Sequence, residues 1–159
     1  MKNQNGQSMF ELVMSIGVAA LIIIVLVSLV NNALQNAAFS KNKTLAARYA
    51  QSATEWLRGQ RDKSITNFLI NTGNPPSAKS FCLTDNPLID ASWLNTGACV
   101  LAPVPEVIPN TIFIRQVDFN VTSLAGKTNI QATTTVKWTD SKGTHVVSSG
   151  TVFSDWRQR

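Results

Sequence analysis

Glu11 is the first side chain in this sequence that needs a chemical explanation. It stands at the head of Leu12 to Val30, nineteen residues without a charge or a proline. As a helix, such a run crosses a hydrocarbon core of roughly 30 Å. A carboxylate held deep at the edge of that core costs on the order of 2.5–3.5 kcal/mol on insertion scales, so it needs a partner. Peptide cleavage after Gly6 would create one, the cationic amine of Gln7. Within one helix that amine lies too near the end to neutralise Glu11 well, whereas the amine of a neighbouring copy is free to do so. The position of Gly6 supports such a cut. A secretory signal places its small residues and its cleavage site after the apolar run. Here the small residue ends a short polar leader, MKNQNG, and precedes the run. A cut at Gly6 leaves the apolar helix on the mature chain.

The remaining reactive side chains form no catalytic set. There is no phosphate-cradling glycine loop and no dinucleotide fingerprint. The one histidine, His145, lies in an expected strand beside a turn, and the nine acids are scattered. Two cysteines, Cys82 and Cys99, lie far from the apolar run. Outside the cytosol they could close a loop. Over that spacing a bridge is worth roughly 3 kcal/mol in the chain-entropy model. With one histidine and no close cysteine pair, no metal site is expected. The expectation is a non-enzyme without cofactor or metal.

The first thirty residues resemble the type IV pilin and pseudopilin family. Its pattern is a short basic leader ending in glycine, then a mature chain whose fifth residue is glutamate at the head of an apolar helix. Lys2, Gly6, Gln7 and Glu11 match it in order. The resemblance implies cleavage between Gly6 and Gln7 by a prepilin peptidase, methylation of the Gln7 amine, and use of Glu11 in assembly. It implies as partners other pilin subunits, an inner-membrane platform protein and an assembly ATPase. Major pilins often begin with phenylalanine and carry a helix-kinking proline. Here the mature chain begins with Gln7, and no proline occurs before Pro75. The resemblance is therefore to a minor pilin or pseudopilin.

The elements that must position these residues follow from pattern. The leader is 1–6 and the membrane and assembly helix 7–30. From Asn31 the chain stays rich in Ala, Leu, Gln, Lys and Arg. Leu34, Ala38, Leu45, Tyr49, Ala53 and Trp56 recur at helical spacings. An amphipathic continuation over 31–70 is expected, weakened or ended near Gly59, with a last turn from Ile65 to Ile70. All six prolines fall in 71–110, which reads as loop with a short helical turn near Asp90 to Leu94. From 111 to 156 the period becomes two. Phe113, Val117, Phe119 and Val121 share a face on which Arg115 is the exception. Ile130, Ala132, Thr134, Val136 and Trp138 share another, and Asp140 to Gly143 is a turn signal. The expected fold is α+β: a long helix whose second half covers an antiparallel sheet of three or more strands.

Net charge is +5 and falls to +4 once Lys2 leaves with the leader. The excess gathers in Lys41, Lys43, Arg48, Arg58, Arg61 and Lys63, against only Glu55 and Asp62. Such a stretch can attract DNA or anionic lipid; a solvated or paired helix face accounts for it more simply. The expected function is that of a structural subunit, held in the cytoplasmic membrane with its head outside and then polymerised into an extracellular or periplasmic filament. The alternative is a permanently anchored single-pass protein with an extracytoplasmic head that binds a ligand or DNA.

Overall fold

The computed structural model describes residues 9–101, 103–124 and 127–154. The leader, Gln7 and Trp156 lie outside the described residues. The chain is α+β, with a long N-terminal helix and a four-stranded antiparallel sheet. The first helix, α1, is Met9–Lys63. The described chain divides into two units between Asn42 and Lys43.

In the first unit α1 is apolar and uncovered. Every large apolar side chain from Leu12 to Val30 is at least half exposed, and the helix is long and apolar enough to cross a membrane. Water is a poor solvent for such a surface, at about 25 cal/mol per Å² of apolar area.

In the second unit α1 contributes a buried face of Ala46, Ala50, Ala53, Thr54 and Leu57. The expected stripe is therefore displaced. Only Ala53 of its members is fully buried. Leu45, Tyr49 and Trp56 flank the contact half-buried, and Leu34 and Ala38 are exposed. The buried face is made mainly of small side chains, and the larger ones lie at its margins. The helix passes Gly59 and ends at Lys63. A glycine costs only about 1 kcal/mol against alanine, and the buried Leu57 sits one half-turn before it. The real stop is Ser64. Its backbone is extended, and its hydroxyl accepts from Asn67 N–H at 3.2 Å. That caps a separate helix, α2, Ile65–Thr72, in place of the expected last turn. Helix α2 buries Phe68 and ends at Gly73 (φ 97°), where a Cβ would collide with the side chain of Ser77.

The sheet runs in the order β1-β2-β3-β4, with β1 at Ser77–Cys82, β2 at Ile114–Leu124, β3 at Lys127–Asp140 and β4 at Gly143–Ser154. Strand β1 corrects the reading of 71–110 as loop. It follows Pro75 and Pro76 and carries Lys79 and two serines, so its own pattern is weak. Its pairing with β2, Ser77 opposite Val121 through Cys82 opposite Gln116, is what makes it a strand. The two expected apolar faces are the buried ones: Phe113 just before β2 with Val117, Phe119 and Val121 in it, and Ile130 to Trp138 at alternate positions of β3. Of these, Val117, Phe119, Val121, Ile130 and Ala132 meet Leu57 and Phe68 in one core. The turn into β4 pairs Asp140 with Gly143, whose φ of 121° suits glycine. Asp140 accepts from Lys142 N–H at 2.8 Å and bonds His145 Nε2 at 3.0 Å. Its carboxyl is held below the ordinary range, chiefly by that histidine.

The expected helical turn is a 3-10 helix at Asp90–Leu94. Trp93 enters the core, while Leu94 stays 82% exposed. Adjacent residues on a helical turn point in different directions, so one is buried and the other is not.

Candidate functional site

Two places hold the sequence-derived site residues. The first is the N-terminal part of α1. Glu11 lies in its first described turn, exposed, and an acid there is favoured by the helix dipole. Ser15 Oγ bonds Leu12 O at 2.9 Å, so this polar group in the apolar run is satisfied within its own helix. Gly6 and Gln7, the expected cleavage pair, lie outside the described residues.

The second is the loop between β1 and β2. Cys82 and Cys99 are joined in a disulfide, and no described cysteine is free. Glu106 lies near both sulfurs. The cysteines are bonded to each other, and a disulfide sulfur is not the thiolate that a metal requires. The bridge holds down a loop that also pairs with the sheet. Cys82 N–H donates to Asn95 O at 3.1 Å, Gly97 N–H donates to Ser80 O at 2.8 Å, and Phe81 bridges Thr96. The outer edge of β1 is thereby covered by 95–97 from Ser80 to Cys82. Serine at both cysteines is expected to lower the stability of the head by about 3 kcal/mol. Urea unfolding measures this, and a loss under 1 kcal/mol would mean that the loop is held by its other contacts.

Arg115 completes the loop's attachment, and sequence reasoning saw it only as an interruption. It is 1% exposed on the core face of β2. Its Nε donates to Leu83 O at 3.2 Å and its Nη2 to Asp85 O, while the guanidinium lies 5.9 Å from the ring of Tyr49. Nη1 has no hydrogen-bond partner. Burial lowers the guanidinium to about 10, against smaller raising effects of Tyr49 and Asp85. The folded value is thus below the unfolded one. The cost of burying the charge is fully present below about pH 10 and relieved only above it. The signal available in the sequence was a long cation at an apolar position of an otherwise regular strand.

The loop's next stretch is fixed by Glu106, whose carboxylate accepts from Val100 N–H at 2.7 Å. Beside it a groove of about 480 Å³ is walled by Leu101, Pro105, Ile112, Ile114 and Lys137. Of the basic stretch, Arg58 pairs with Glu55 at 2.6 Å, Arg61 with Asp62 at 2.8 Å, and Lys63 with Asp90. Lys63 and Gln60 hold the Asp90 carboxyl below its ordinary range. Half of the basic group is thus occupied on its own surface.

No protein-family model, no curated protein and no solved structure matches this chain.

Proposed function

We propose that this chain is a structural subunit of the minor pilin or pseudopilin type, serving a type IV pilus or a related secretion or competence filament. One observation carries the reading. A single uninterrupted helix, Met9–Lys63, provides a membrane-length apolar stretch headed by Glu11 and then the segment on which a four-stranded sheet packs. A permanent anchor needs the first feature only. A polymerising subunit uses both, because its apolar helix must leave lipid and pack on other helices while the head stays folded outside. Glu11 then pairs with the Gln7 amine of a neighbour, and the contact is head-to-tail without closure. A prepilin peptidase, a platform protein and an assembly ATPase belong to the same reading.

The test is the intact mass and N-terminal sequence of the protein from its own membranes. A chain beginning at N-methylated Gln7 is expected. A chain beginning at Met1, in cells with an active peptidase, would leave the permanently anchored protein as the better account. DNA binding is disfavoured by the three basic residues that are already paired.

A further inference from the structure

The two edges of the sheet are unlike. The β1 edge is covered by 95–97 over Ser80 to Cys82. Among the described residues nothing pairs with the outer edge of β4. Folded proteins guard such an edge with lysines, prolines or bulges, or keep it short. Strand β4 has none of these defences. It is twelve residues long, and from Thr144 to Ser154 it carries no acid, lysine, arginine or proline. Its pairing with β3 runs from Gly143 to Ser154 with no residue skipped.

We infer that β4 pairs with the β4 of a second copy, antiparallel, about a two-fold axis through Ser149. The sequence of the strand selects the occupant and the register. Its two exposed apolar side chains are Val146 and Val152, 53% and 64% exposed, on one face. They stand symmetrically about Ser149. Antiparallel pairing centred there sets each Val146 opposite the partner's Val152. It also sets Ser148 opposite Gly150 and Thr144 opposite Ser154. An isologous contact sets the same edge against itself, so an edge bearing charges of one sign would meet that sign again; from Thr144 to Ser154 this edge carries no acid, lysine or arginine. The result is one sheet of eight strands in which both exposed valines gain a cross-strand partner.

The two-fold also sets direction. Helix α1 passes Phe113 at Tyr49 and reaches Trp93, itself 5.8 Å from Phe119, at Trp56. It thus advances along β2 in the same sense. A two-fold normal to the sheet reverses strand and helix together. The two head segments of α1 then run in opposite directions.

The test uses the full chain in nanodiscs of phosphatidylcholine and phosphatidylglycerol, one chain per disc. The chain has no free cysteine among its described residues, so single cysteines report position. Under mild oxidation, Ser149→Cys is expected to cross-link to itself and join two discs. Val146→Cys is expected to cross-link poorly to itself but well to a Val152→Cys chain. Adding Ser148→Lys is expected to lower the Ser149→Cys yield about fivefold or more. Equal cross-linking in every combination, or none in any, overturns the inference. A chain that fails to enter discs fails the membrane reading of α1 instead. Cross-linking of the same chains in detergent then decides the β4 pairing in the same way.

Discussion

Trp93→Ala is expected to destabilise the head by about 3–5 kcal/mol, the range for removing a large aromatic side chain from a packed core. The 3-10 helix Asp90–Leu94 delivers this ring to the middle of an aromatic cluster. Trp56 and Phe81 each lie 5.0 Å from it, Phe119 5.8 Å and Phe68 5.9 Å, measured between centroids. Those four rings come from α1, β1, β2 and α2, so one side chain touches all four elements. Its Nε1–H donates weakly to Gln60 Oε1 at 3.4 Å. Equilibrium unfolding followed by near-UV circular dichroism measures the effect. Trp93→Phe should recover part of the loss, because it keeps a ring in the cluster while giving up the long hydrogen bond and the extra volume of the indole. A loss below 1 kcal/mol for the alanine variant would mean that the four neighbours close over the gap.

Arg115→Ala is expected to cost a similar amount, about 3–5 kcal/mol, for a different reason. The guanidinium is the donor for two carbonyls, Leu83 O and Asp85 O, and hydrogen bonds to charged groups are worth about 1.5–3 kcal/mol each. Removing it strands both acceptors and leaves a cavity beside Tyr49. Arg115→Lys should rescue little, since an ammonium cannot reproduce the planar fork that reaches two carbonyls at once. The structural readout is faster amide exchange in the 83–99 loop with the β2–β3 pairing intact. The orphaned Nη1 makes the opposite result informative. If Arg115→Met proved as stable as the native chain, the buried charge would be a burden that apolar packing replaces.

The larger divisions of this fold were legible because hydrophobic period and breakers speak plainly. The uncharged run Leu12 to Val30, the strict alternation of Ile130 to Trp138 and the Asp140–Gly143 turn each have one reading. The misses share a cause: tertiary contacts outvoted local pattern. Strand β1 exists because β2 offers it a partner and because Cys82 is tied to Cys99. Helix α1 runs past Gly59 because Leu57 is buried beneath it. The buried stripe moved onto Ala46 and Ala50 because the helix–sheet distance, which a sequence does not state, rewards small side chains. At the N-terminus, Glu11 could be named from its position before the apolar run. At the head, Arg115 could be noticed but not assigned, since the carbonyls it serves lie about thirty residues away in sequence.

The disulfide loop sets a valence. A sheet unit with one open edge has a valence of one: it can join a single other unit, and both are then spent. A unit with two open edges has a valence of two, and units of valence two form ribbons of no fixed length. The covering of β1 by 95–97, held by Cys82–Cys99, separates these cases. A head with 95–97 in place would terminate such pairing. Only a head whose loop had left β1 would be a link that can be extended on either side. The loop that this one disulfide ties down therefore bears on whether a misplaced or immature subunit would remain a countable species or become an aggregate.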